Sequence, residues 1–169
     1  MTFLPWDQGE GFGALSPDGQ TLAFTRADAA TERVYLAPAR GGDARLLSAS
    51  AGAVPRWSPD GKQIAFAANR GYSGGIFVIS PDGRGERRLT IDGGWPVWWP
   101  DGRQLAYLTL GPQGNQVRVV SLDGATRLLG SIKLGGSNHP FAVFPDGKRI
   151  AGTNAVHVSD EIWLLEPRK

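Results

Sequence analysis

The chain has 169 residues, with 18 Lys and Arg against 16 Asp and Glu and a formal net charge of +2, enough for one domain with a real core. The basic residues are scattered, the densest patch covering only 84–88, so no counterion-releasing stripe for nucleic acid is present. Cysteine is absent, which excludes disulfides and thiolate metal sites, and no apolar run approaches the roughly 18 residues of a membrane-spanning helix.

At the start, Met1 to Asp7 lacks a basic n-region and a long apolar stretch, so it is not a signal peptide. The expected location is the cytoplasm for the chain as given, and the periplasm if it is part of an exported protein. Residues 2–6 have the pattern of a strand, and 7–12 that of a connection. The 24 Gly and 12 Pro argue for many tight turns between short strands. Pro-Asp-Gly stands at 17–19, 59–61, 81–83, 100–102 and 145–147. Pro fixes φ for a type I turn, Asp bonds the local backbone, and Gly takes the left-handed position that returns the chain as a hairpin.

Four of the five turns have an apolar segment before them and a short apolar strand after them: Leu22-Ala23-Phe24, Ile64-Ala65-Phe66, Leu105-Ala106-Tyr107 and Ile150-Ala151-Gly152. These are strands A and B of a repeat about 40–45 residues long. Strand C is expected at 33–38, 75–80, 116–121 and 161–166. Second turns follow at 41–43, 81–83 and 122–124, and then strand D at 44–48, 86–90 and 126–130. Four antiparallel strands per repeat predict an all-β protein, a β-propeller of four blades. Its expected blades are 7–48, 49–90, 91–130 and 131–169 in a single domain, 1–169. No strand D follows the last strand C, so 2–6 is expected to complete the final blade. The alternatives are part of a larger ring, or a homodimer that builds one.

The stretch from Pro55 to Phe66 (PRWSPDGKQIAF), then Ile76-Phe77-Val78-Ile79 and Arg87-Arg88-Leu89-Thr90, closely resembles the TolB-type propeller repeat. Residues 96–107 repeat it. The resemblance spans nearly the whole chain. It implies the fold strongly and the function weakly, because such propellers occur in TolB, in prolyl-oligopeptidase-like enzymes and as C-terminal modules of bacterial regulators and kinases. The sequence departs from the pattern at Gly13 and Leu15, at Trp98-Trp99, at Val143-Phe144, and at Gly152, where an aromatic is expected.

Candidate chemistry is sparse. Gly71-Tyr72-Ser73-Gly74-Gly75 matches Gly-x-Ser-x-Gly, but a strand rather than a helix follows it, so it reads as a B–C loop. His139, His157 and Asp160 are spaced too loosely for a metal site. The turn aspartates lack the alternating oxygen ligands of calcium loops. No catalytic residue, metal or cofactor is expected. Trp57, Trp98 and Trp163 are expected to pack between blades.

Strand alternation puts the tight A–B and C–D turns at one end. The longer B–C loops (26–33, 68–75, 109–115, 154–160) and D–A connections fall at the other. Function favours variable loops on a rigid scaffold. The expected binding residues are Arg70, Tyr72, Trp95, Asn69, His139, Trp6 and Arg26, a mixture suited to a protein or peptide partner.

Overall fold

The computed structural model describes residues 10–28, 31–69, 73–112, 114–132, 141–156 and 159–165. Every element among them is a β-strand. The first sheet runs in the order β1 (Glu10–Leu15), β2 (Thr21–Asp28), β3 (Thr31–Pro38), β4 (Arg45–Leu46). The second holds β5 (Ala53–Trp57), β6 (Ile64–Ala67), β7 (Ile76–Ile79) and β8 (Arg87–Arg88). The third holds β9 (Gly94–Trp98), β10 (Gln104–Gly111), β11 (Gly114–Ser121) and β12 (Thr126–Ile132). The fourth holds β13 (Phe141–Val143), β14 (Ile150–Val156) and β15 (Ser159–Leu165). All pairings are antiparallel between sequence neighbours, which is the blade pattern of a propeller. The first strands neighbour one another, β1 with β5, β5 with β9 and β9 with β13, and so line the axis. The segment 2–6, expected to close the last blade, lies outside the described residues.

The Pro-Asp-Gly turns close in one way. The glycine N–H donates to the carbonyl three residues back: Gly19 to Ser16 at 2.8 Å, Gly61 to Ser58 at 2.9 Å, Gly102 to Trp99 at 2.9 Å and Gly147 to Phe144 at 2.8 Å. The aspartate Oδ1 accepts the N–H two residues on, from Gln20, Lys62, Arg103 and Lys148. Ser16 and Ser58 donate their hydroxyls to Asp18 and Asp60 and accept the N–H of Thr21 and Gln63. Trp99 and Phe144 occupy that serine position in the third and fourth blades, so the extra pair of bonds is lost there. In the C–D turns Asp82 and Asp123 accept from Arg84 and Ala125 in the same manner.

Successive blades are locked by equivalent contacts. Trp57 Nε1 donates to the Ala14 carbonyl of the first blade at 3.1 Å, and Trp98 Nε1 to the Arg56 carbonyl of the second at 2.9 Å. On the outer side, Arg45 Nη2 reaches the Pro81 carbonyl at 2.5 Å and Arg87 Nη1 the Leu122 carbonyl at 2.8 Å. Ile64, Phe66 and Ile79 pack on Ala23, Val34 and Leu36 of the blade before. Leu105, Tyr107 and Val120 repeat this against Ala65, Ala67, Ile76 and Val78. Alternation along each strand thus gives a blade one face for each neighbour. Leu15, aligned with Trp57 and Trp98, is 58% exposed.

Strand D is two residues long in the first two blades, shorter than the sequence suggests. A hydroxyl explains why. Ser48 Oγ accepts the Val34 N–H and donates to the Ser50 carbonyl. Thr90 Oγ1 accepts the Ile76 N–H and donates to the Asp92 carbonyl. Each side chain takes over the ladder where the chain leaves for the next blade. Gly130 stands at the aligned position in the third blade, and there β12 continues to Ile132.

Candidate functional site

The two ends of the propeller differ chemically. At the A–B and C–D end, backbone and aspartates satisfy each other inside the turns at 17–19, 59–61, 81–83, 100–102, 122–124 and 145–147. The glycines of those turns also sit against the preceding blade's prolines: Gly61 on Pro17, Gly102 on Pro59 and Gly147 beside Pro100. At the other end the B–C connections are shorter than expected in three blades. β2 and β3, β10 and β11, and β14 and β15 extend into narrow hairpins. Cross-strand pairing continues to Asp28↔Thr31, Gly111↔Gly114 and Val156↔Ser159, so the loops expected at 26–33, 109–115 and 154–160 are largely strand. Among the described residues the second blade differs, with β6 ending at Ala67 and β7 starting at Ile76.

Arg26 is therefore a strand residue near the hairpin end of β2. Its guanidinium lies over two rings, 4.9 Å from the Tyr35 centroid and 5.4 Å from that of Phe24. Across β3 it faces Arg33, and across β1 it faces Glu10. Asn69 is exposed in the second blade's loop and its Nδ2 donates to Ser73 Oγ at 3.4 Å. Arg70, Tyr72, His139 and Trp6 lie outside the described residues, as does His157.

Trp95 is corrected. By sequence it is a binding candidate at a D–A connection, with core packing the commoner role for any one such tryptophan; it lies in β9 and is only 7% exposed. The cause is a bulge repeated in three inner strands. Residues 12–13 face Phe24 alone, 54–55 face Phe66, and 95–96 face Tyr107. The first residue of each bulge is left-handed: Phe12 at φ 48°, Val54 at 56° and Trp95 at 57°. That conformation is uncommon for side-chain-bearing residues and an outlier for a β-branched one. It turns these three side chains into one cluster with Ala53 and Phe141, and Phe12 and Trp95 meet edge to face. In the fourth blade Phe141 pairs with Gly152, whose position holds the aromatic in the other three blades.

Comparison with known proteins decides the architecture. No protein-family model matches the chain. A curated relative, the Tol-Pal system protein TolB of Syntrophus aciditrophicus (strain SB), is 47% identical over 36 residues, which is 21% of this chain and 8% of that protein. A TolB structure from Agrobacterium tumefaciens superposes with a TM-score of 0.73 at 22% identity, over 92% of this chain and 60% of its own. TolB from Acinetobacter baumannii gives 0.69 at 20%, over 96% and 44%. The fold is that of a TolB-like β-propeller. The chain spans 60% or less of these TolB chains. The same fold extends to a prolyl endopeptidase, with a TM-score of 0.61 at 15% identity, over 95% of this chain and 28% of that one.

On the TolB-like frame, the described part of the Gly-x-Ser-x-Gly stretch, Ser73 to Gly75, leads into β7. Gly75 has φ 80°, and a Cβ there would run into the Thr90 carbonyl oxygen. Its glycine is required by packing of strand C on the end of strand D. Sequence reasoning missed two arginines. Arg56, on β5, donates to the Pro55 carbonyl at 3.1 Å, and burial lowers its guanidinium pKa. Arg33 is the first residue of the expected strand C, and its Nε is buried and meets no acceptor. Among the described residues no group of three or more His, Cys, Asp and Glu could hold a metal, and no helix is long and apolar enough to cross a membrane.

Proposed function

We propose that the chain is a non-catalytic binding module that docks a protein or peptide partner on the end carrying the B–C hairpins and D–A connections. The observation that carries this reading is the contrast between the ends. One end spends its polar groups on its own turns. The other presents Arg26 over an aromatic pair, the exposed Asn69 and an exposed Leu110 at a hairpin. Aromatic, Arg and amide groups on a rigid frame suit polypeptide recognition. Similarity to a Tol-Pal system protein supports a protein rather than a nucleic-acid partner. The D–A contribution rests on Trp6 and His139 and excludes Trp95, which is core.

In this reading residues 1–169 form one propeller domain, its last blade completed by 2–6, by a second copy or by further blades of a larger ring. Light scattering separates a monomer from a dimer. The docking test is affinity capture followed by identification of the retained partner. Asn69→Ala, Arg70→Ala and Tyr72→Ala together should abolish its retention, and Asp82→Asn with Arg84→Ala at the opposite end should not. The reverse pattern overturns the choice of end. The likeness to a prolyl endopeptidase favours a second reading, an accessory propeller beside a hydrolase domain. A hydrolase domain encoded in the same reading frame would decide for it.

A further inference from the structure

One ionised group on the inner strands has no counter-charge. Arg56 is in β5 and pairs with Ala65. Its equivalents are Ala14, Val97 and Ala142, each opposite the matching alanine of its second strand. On one side of this row Val54, Trp95 and Phe141 are buried together, with Phe12 packed on them. In the row itself Ala14, Arg56 and Val97 are half-buried and Ala142 is exposed. Because the first strands line the axis, the row walls a recess that has the apolar cluster as its floor. Arg56 Nη1 donates to the Pro55 carbonyl at 3.1 Å. Its Nε and Nη2 meet no protein acceptor, yet neither is sealed off as Arg33 Nε is, so a solute in the recess can reach them. Burial lowers the Arg56 pKa, and no carboxylate opposes that. Glu10 is the one acidic residue of the described inner strands. It lies four residues before Ala14, about 13 Å along the strand, and opposite Arg26. Asp28 and Glu32 are further out, at the end of the first hairpin. The four A–B turns carry one Asp each, and Lys62, Arg103, Lys148 and Arg149 match them in number.

We propose that Arg56 holds the carboxylate of a slender aliphatic chain bound in this axial recess. Nε and Nη2 share one edge of the guanidinium, and parallel donors on one edge fit the two oxygens of a carboxylate. A desolvated cation gains most from an ionised acceptor. The methyl groups of Ala14 and Ala142 and the side chain of Val97 suit a hydrocarbon tail, the usual wall of a small-ligand site with few polar groups. They offer no donors to a phosphate, whose hydration a single guanidinium does not replace. The recess is separate from the B–C end, so the proposal goes beyond the docking reading and does not rest on it.

The test follows the Arg56 Nε–Hε resonance in the ¹⁵N-labelled full chain, assigned by its loss in Arg56→Lys. The probes are butyrate, acetyl-Ala-Ala with a free C-terminus, its C-terminal amide and inorganic phosphate, at constant ionic strength. A free carboxylate should shift the Arg56 signal saturably and the amide should not. The tighter of butyrate and the free peptide names the source, a small acid or a chain end. Arg56→Lys should weaken butyrate binding about tenfold, the loss of one charge-assisted bond, and Arg56→Met should abolish it, both read from butyrate's own proton signals. The melting temperature of Arg56→Met should hold or rise, because a desolvated charge is removed. Ala142→Phe keeps the arginine but fills the recess, and should abolish the shift; it carries the test if Arg56→Met melts low. No shift with either free carboxylate overturns the proposal. So does an equal or tighter response to phosphate, or full binding by a folded Ala142→Phe. Butyrate binding retained in Arg56→Met would make the arginine structural and overturns it as well.

Discussion

Phe12 of the first blade and Trp95 of the third meet edge to face, with ring centroids 5.3 Å apart and planes at 87°. Both are left-handed residues of the same repeated bulge. The contact places an apolar plug on the axis, built from strands two blades apart, and it ties the cluster of Val54, Trp95, Leu108 and Phe141 together.

Truncating that plug should be costly. Trp95→Ala removes a large buried side chain and should destabilise by about 3–5 kcal/mol. A double-mutant cycle with Phe12→Leu should show a coupling of about 0.5–1.5 kcal/mol beyond area burial. Urea denaturation measures both, and additive effects would mean that the ring contact carries no energy of its own.

Val54 offers a test of the bulge. At φ 56° its backbone holds about 1–3 kcal/mol of strain. Val54→Gly relieves that strain but removes a buried side chain worth about 1.5–3 kcal/mol, so the net change should be small. Val54→Pro cannot adopt the angle and should destabilise by about 3 kcal/mol or more. Thermal melts of the two variants should therefore differ widely.

The indole locks predict a repeated effect. Trp57→Phe and Trp98→Phe each leave a carbonyl, Ala14 or Arg56, without its donor. Each should cost about 1–3 kcal/mol, with the two effects adding because they join different blade pairs. Denaturant midpoints of the single and double variants check this.

The turn aspartates set the acid limb of stability. The Ser16 hydroxyl, then the Gln20 N–H, lowers the Asp18 pKa. Ser58, then Lys62, does so for Asp60, and Ser121, then Ala125, for Asp123. At Asp146 the Lys148 N–H comes first. A carboxylate with a folded pKa below its unfolded value, about 3.9, adds stability above that value. The contribution disappears as pH falls through the folded pKa. The melting temperature should therefore fall below about pH 4, and Asp18→Asn with Asp60→Asn should make that fall shallower. These carboxylates are exposed, so the effect should be modest.

The loop serine gives the plainest contrast. Ser73→Ala should leave the fold unchanged, and fluorophosphonate should not label Ser73. Gly75→Ala, two residues on, combines a positive φ with a collision at the Thr90 carbonyl and should lower the melting temperature clearly. Circular dichroism separates the two variants.

Much of the blade was legible because its signals are local. A Pro-Asp-Gly turn fixes its own geometry, and the alternation around Leu22, Ile64, Leu105 and Ile150 gives strand and face together. The lengths of strand D and of the B–C hairpins were not legible. Ser48 and Thr90 end the ladder through bonds to β3 and β7, partners that are remote in sequence. Trp95 was misread for a similar reason. Its neighbour Pro96 suggests a connection, and only pairing with β10 reveals a bulge that points the indole inward. Arg33 carried no signal, because nothing local shows that a strand arginine will face another across a hairpin and find no acceptor.

By itself, then, the sequence determined a four-fold repeat of antiparallel strands, since turn chemistry and period-two burial act over a few residues. Tertiary structure alone decided what fills the axis, which indole locks which blade, and which arginine is left unsatisfied. Those depend on where distant strands bring their side chains, and a bulge two residues long is enough to turn Phe12, Val54 and Trp95 from a connection into a core.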